Sequence, residues 1–297
     1  MNNKVAMNQK WKPINVEKQR TQKKRISIST LLLHVFLIIG ALAMVFPFVW
    51  TILSSFKDLS QIFIIPPQWI PDPFVWSNYP NSLKAMPFAQ AYFNSFYITI
   101  IIVICTLFTA SMAAYAFAKI RFRGSNVLFI LFLATMMIPK QVTMIPLYLV
   151  MDWLGWLDTH LTLIVPGALF NAFAVFLLRQ FIMNIPTELE EAAVIDGANY
   201  FRIYWSVVLP LIRPALAAIG IFTFMGAWNN FIDPLIYLNS TSNFTVPLLL
   251  NQFKGLYTAD WSLMMAGTVI SIIPILIVYI FAQKQIIEGI TITGMKG

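Results

Sequence analysis

The sequence predicts an all-α polytopic membrane protein with six membrane-crossing helices, and three observations support this. Six apolar segments approach or exceed the roughly 20 residues that a helix needs to cross a bilayer. Apolar residues make up 59% of the 297 and charged residues only 11%, far outside the soluble average. Lysine and arginine fall mostly on one side of the segments, as the positive-inside rule requires of a multi-span chain.

In chain order, the first 29 residues form a basic tail. Lys4, Lys10, Lys12, Lys18, Arg20, Lys23, Lys24 and Arg25 stand there against Glu17 alone. Such a tail beside a span sets topology and touches anionic membrane lipid; this reading is preferred to nucleic-acid binding. The spans are placed at 30–53, 93–118, 126–150, 161–182, 211–237 and 264–282. Residues 31–43 resemble a secretory signal, but the apolar run continues to Leu53, so the segment reads as an uncleaved anchor. With the tail inside, the inner segments add Lys119, Arg121, Arg123, Arg179, Arg202, Arg213, Lys284 and Lys296 to the eight tail residues. Only Lys57, Lys84, Lys140 and Lys254 lie on the outer side. Both termini are therefore expected in the cytoplasm, with the chain multi-pass in the cell membrane. The first outer loop holds Pro66, Pro67, Pro71, Pro73, Pro80 and Pro87, which favours extended chain over helix. The last, 238–262, reads as a polar connector containing Tyr257.

The one polar stretch of any length between apolar runs is 186–214. Thr187 and Glu190 have capping-box spacing, predicting a helix from Glu188. Gly197 is free to take a left-handed turn and end it. Asn199 can cap a second short helix, which should stop by Val208 because Leu209 precedes Pro210. The product is a helix-turn-helix elbow, with Ala192 and Ala193 where a partner can approach closely.

Glu191-Ala192-Ala193, then Gly197 after three residues, Val207 after nine more, and Leu209-Pro210 resemble the cytoplasmic EAA loop of ABC-transporter permeases. Val207 stands where isoleucine is usual. Asn94-Ser95, Ala113-Ala114-Tyr115, Met137-Ile138-Pro139, Ile145-Pro146, Trp228-Asn229 and the terminal Gly294-Met295-Lys296-Gly297 extend the resemblance to the smaller membrane subunit of maltose-type carbohydrate importers. The resemblance implies that the loop between spans four and five is a coupling helix seated on an ATPase subunit, with Glu191, Ala192, Ala193, Asp196, Gly197, Leu209 and Pro210 as its working residues. It also implies three partners: a second permease, cytoplasmic ATP-binding subunits and an external solute-binding protein facing the last outer loop.

The sequence has no phosphate-binding loop, no His-Glu-x-x-His and no Cys-x-x-Cys, and its one cysteine is Cys105 in an apolar run. It calls for no cofactor or metal, and any ATP hydrolysis is assigned to a partner. His34 and His160 lie near opposite ends of their spans and read as interface residues. Lys140, between Pro139 and Gln141, is the exceptional charge within a span. It is read either as snorkelling to the outer interface or as facing an aqueous vestibule, where it would favour acidic sugars. No carboxylate falls at mid-membrane, Asp233 being near an outer end, which disfavours ion coupling. Neutral groups suited to a sugar are Asn94, Ser95, Thr109, Ser111, Asn171, Asn229 and Asn230, with Trp228 as an aromatic face. Of these, Asn229, Asn230 and Trp228, together with Lys140, are the candidate path; the others serve equally as glue between helices.

The reading is a permease subunit of an ATP-driven, binding-protein-dependent importer of a sugar or oligosaccharide. The alternatives are a stand-alone secondary carrier or facilitator, a scaffolding subunit, or an importer permease for a non-sugar solute.

Overall fold

The computed structural model describes residues 28–169, 171–255 and 260–294. The basic tail through residue 27, Tyr257 and the terminal Met295-Lys296-Gly297 lie outside the described residues. The chain divides into two units, Met1–Pro47 and Phe48–Gly297. The described part of the first, 28–47, is helical with exposed side chains, and His34 Nδ1 bonds to the Thr30 carbonyl one turn back at 2.6 Å. That helix, α1 (Ile28–Ser54), runs on into the second unit.

In the second unit the first outer loop carries α2 (Leu59–Ile62) and α3 (Asn78–Ala85). The expectation of extended chain fails at α3 because Pro80 falls in its first turn, where the missing N–H costs nothing. Lys57 is wholly buried in this loop. Its ammonium donates to the Gln68 carbonyl at 2.5 Å and lies 4.2 Å from the centre of the Trp50 ring, and burial pushes its pKa down.

The core is built around α4 (Phe88–Lys119). α5 (Ser125–Ala134) and α6 (Lys140–Trp153) follow, then α7 (Leu161–Leu169) and α8 (Ala172–Met183). The expected single span at 126–150 is two helices meeting at 101° across a tight turn at Thr135–Met137. Pro139 sits at that break and Ile138 before it is extended (φ −82°, ψ 116°), as pre-proline sterics demand. Toward one end, Ala110 and Ala114 of α4, both buried, let Leu178 and Ile182 of α8 approach closely. Toward the other, Ile98 and Ile102 join Leu163, Val246 and Leu249.

The chain continues through α9 (Thr187–Ile195), α10 (Tyr200–Ile203), a π-helical turn at Tyr204–Val208, α11 (Leu209–Leu211), α12 (Arg213–Trp228), α13 (Ile232–Tyr237), α14 (Val246–Asn251) and α15 (Trp261–Gly294). The run expected at 211–237 is thus interrupted at 229–231. Among the described residues, four helices are long and apolar enough to cross a membrane, or up to six if each bent pair is one span.

The described part of the segment after α13 is no loose connector. Asn94 donates to the carbonyls of Ser242 (2.8 Å) and Phe244 (3.0 Å), and Ser95 Oγ accepts from the Val246 amide at 2.8 Å. Asp158 accepts from the Asn239 and Ser240 amides, each at 2.9 Å, and from the Ser240 hydroxyl. These bonds, the Ser240 hydroxyl first, hold its carboxylate far below the usual range. His160 bridges Tyr97 OH and the Asn243 carbonyl.

Candidate functional site

Two places gather the residues singled out by the sequence. The first is the elbow. α9 begins at Thr187 directly after Pro186, with no side-chain cap. The expected capping box does not form, because Thr187 is already helical and Glu190 is drawn instead to Lys119 Nζ at 2.7 Å. The same ammonium donates to the Ile185 carbonyl at 2.8 Å, so the last turn of α4 grips both the approach to α9 and its first turn.

At the other end of α9, Gly197 stands at φ 77°. Its amide donates to the Val194 carbonyl and that of Ala198 to the Ala193 carbonyl, both at 2.9 Å. This pair of bonds is a Schellman motif, which satisfies carbonyls left over at a helix end. Asn199 then caps α10, accepting from the Arg202 amide at 2.9 Å.

The helix was expected to stop by Val208, yet Leu209 is helical (φ −54°, ψ −45°) and the run reaches Leu211. A proline ring normally collides with the carbonyl four residues back. The wider turn at Tyr204–Val208, closed from the Leu209 amide to the Tyr204 carbonyl, leaves room for Pro210. The break falls instead at Ile212, where the axis turns by 79° into α12.

No residue of α9 is buried. Ile195 is 85% exposed, and Val194, Tyr200, Phe201 and Trp205 each more than half. Glu191, Ala192, Asp196 and Pro210 are exposed with them, whereas Ala193 and Leu209 turn partly into the core. Only Ala192 of the alanine pair is therefore fully open to a partner. Beneath the elbow, Tyr204 OH meets Ser111 Oγ of α4 at 2.8 Å.

The second place is a cavity of about 360 Å³ among α6, α7, α12 and α13, lined by Lys140, Asn171, Thr223, Asn230 and Asp233 among others. Lys140 Nζ lies 2.6 Å from Asp233 Oδ2, and Asn230 Nδ2 donates to the same oxygen at 2.7 Å. Asn229 faces a neighbouring cavity and donates to the Met225 carbonyl at 3.0 Å. Trp228 is not in the lining. It is 2% exposed, stacked on Phe224, and donates to the Ser271 carbonyl at 3.1 Å.

Of the remaining polar candidates, Thr109 bonds the Ala168 carbonyl and Asn171 caps α8 through the Ala174 amide. With Asn94, Ser95 and Ser111, Thr109 serves as glue, while Asn171 also lines the cavity. Asp233 is the residue that sequence reasoning passed over. The signal was the lone lysine within a span, since such charges pair.

Residues 107–290 match the family described as binding-protein-dependent transport system inner membrane component. The chain belongs to that family. Known proteins are similar to this one along most of their length. The chain is 37% identical over 257 residues to the arabinooligosaccharides transport system permease protein AraQ of Halalkalibacterium halodurans, covering 85% of this chain and 91% of that one. It is 31% identical over 288 residues to the probable ABC transporter permease protein YurM of Bacillus subtilis, covering 95% and 94%. Among solved structures it is similar to a chain of a bacterial ABC transporter involved in the import of the acidic polysaccharide alginate. The TM-score there is 0.77 at 29% identity, over 86% of this chain and 96% of that chain. The chain is accordingly a multi-pass inner-membrane component of a transport system that works with a binding protein.

Proposed function

We propose that this chain is one of two permease subunits of an ATP-driven importer of a sugar or oligosaccharide, with both termini in the cytoplasm and the elbow seated on an ATP-binding subunit. Similarity to AraQ and to the alginate importer supports the sugar class. An external binding protein delivers the solute to the outer face, and two ATP-binding subunits close on ATP. The elbow passes that closure to the spans as a rigid-body movement, and the permease itself makes and breaks no covalent bond.

The observation that carries this reading is the exposed apolar face of the elbow. Val194, Ile195, Tyr200 and Phe201 lie open on a charged hairpin that is fixed by the Schellman turn and the Lys119 clamp. Leaving such side chains in water forgoes about 1.5–3 kcal/mol each, so a partner that covers them binds firmly. In this reading Glu191 and Asp196 add charged contacts at the rim, Ala192 permits close approach, and Leu209-Pro210 join the elbow to α12. Lys140, Asn229 and Asn230 border the solute path.

The test is to purify the carboxyl-terminally tagged chain from native membranes in mild detergent and identify stoichiometric companions by mass spectrometry. An ATP-binding subunit and a second multi-span permease are expected. The chain recovered alone, from a preparation in which a known importer stays assembled, refutes the reading.

A further inference from the structure

Two cavities, of about 360 and 290 Å³, flank Lys140 and Asn230 and share both residues in their linings. Lys140 therefore stands where two chambers meet. Its side chain is 67% exposed, and that of Asp233 only 15%. Lys140 opens α6 just after the break at Pro139, and Asp233 lies in the first turn of α13 just after the break at 229–231. The bridge thus ties two interrupted spans across the space between them. The Asp233 carboxylate takes both Lys140 and the Asn230 amide on one oxygen.

An isolated lysine at such a point would make the lining positive and draw acidic solutes. With Asp233 at 2.6 Å the charge is cancelled within the protein. What remains to face a solute is amide and hydroxyl chemistry from Asn171, Thr223, Asn229 and Asn230, which matches the donors and acceptors of an uncharged polyol.

Resting on the importer reading above, we propose that the bridge of Lys140 to Asp233 determines specificity. It keeps the path charge-balanced, so the path takes neutral, hydroxyl-rich solutes and turns away acidic ones. The acidic-sugar preference that Lys140 alone implied in the sequence is thereby reversed. Asp233→Asn keeps the shape of the side chain and its contact to Asn230 but leaves Lys140 uncompensated.

The complex is purified with its companion subunits and washed free of external binding protein. Saturation-transfer NMR then compares arabinotriose with trigalacturonate at equal concentration. Wild type should favour the neutral trisaccharide. Asp233→Asn should move the ratio toward the acidic one by about tenfold or more, as expected for a newly unpaired charge at close range. The reversed pair, Lys140→Asp with Asp233→Lys, should restore the neutral preference. An unchanged ratio in Asp233→Asn overturns the proposal, as does a wild type that prefers trigalacturonate or engages neither probe. The importer reading is scored separately on the same material, by whether ATP-binding subunits copurify and hydrolyse ATP.

Discussion

Replacing Gly197 by valine isolates the elbow's geometry from its contacts. A Cβ built at Gly197 meets nothing within 4 Å, so the added Cβ causes no clash, and the effect expected of the substitution comes from the backbone. At φ 77° an L-residue is disfavoured by about 1–2 kcal/mol, and valine by more because its branched Cβ fits the left-handed region poorly. The chain has two responses. It can hold the turn and bear that strain, or unwind it and lose the two 2.9 Å bonds of Gly197 to Val194 and Ala198 to Ala193, at about 0.5–1.5 kcal/mol each.

Either response costs about 1–3 kcal/mol in the form that presents Val194 and Ile195 correctly. At 1.4 kcal/mol per tenfold, the ATP-binding subunit should dock about 5- to 140-fold more weakly. The assay titrates that purified subunit onto the permease pair in nanodiscs and follows ATP-driven uptake in parallel. Gly197→Asn is the control, since asparagine visits this region readily and should stay within about threefold of wild type. Valine binding as tightly as glycine would refute the reasoning. Asparagine as weak as valine would show that the added side chain matters, and not φ.

Two further outcomes follow from the same geometry. Lys119→Met leaves the Glu190 carboxylate, only 17% exposed, without its partner, and should lower stability by about 2–3 kcal/mol. Adding Glu190→Gln should recover at least half of that in thermal unfolding followed by tryptophan fluorescence; equal losses in the single and double variants would contradict the clamp. The depressed pKa of Asp158 means that its hold on Asn239 and Ser240 is complete above the unfolded value near pH 4. That hold fades only as pH falls through the lower folded value. Hydrogen-exchange protection at those two amides should therefore be level from pH 7 to pH 5 in wild type and reduced at pH 7 in Asp158→Asn, and a wild-type collapse within that window would count against it.

Local chemistry was readable from the sequence wherever one residue dominates its neighbours. The turn at Gly197 and the cap at Asn199 each need only a single residue. Two of the failures share a cause, which is a partner far away in the chain. Thr187 and Glu190 have the right spacing for a box, but Lys119, some seventy residues earlier, outcompetes a neutral cap with a full charge. The sequence places Trp228 with Asn229 and Asn230 as an aromatic face for a sugar. Successive helical side chains are rotated by about 100°, however, and Trp228 points toward α15 while Asn230 points into the cavity. The break at 229–231 contains no proline. Its signal was Asn230 placed three residues before Asp233, whose amide it caps at 3.3 Å.

The two candidate places lie at opposite ends of one rigid rod. α12 leaves the elbow at Ile212 and ends beside the cavity at Trp228, a length of about 24 Å for 16 residues at 1.5 Å each. The corner where it meets the elbow is bent by 79° but is not loose. Ile212 is 2% exposed, its amide bonds the Val208 carbonyl at 3.1 Å, and its own carbonyl accepts from Leu216 at 2.9 Å. The corner is therefore bonded to both arms, and in the proposed reading a rotation of the elbow is passed to α12. A tilt of about 5° about that corner moves the far end of such a rod by about 2 Å. Added to the 2.6 Å between Lys140 and Asp233, this exceeds hydrogen-bonding reach. A tilt of that size is thus large enough to part Lys140 from Asp233.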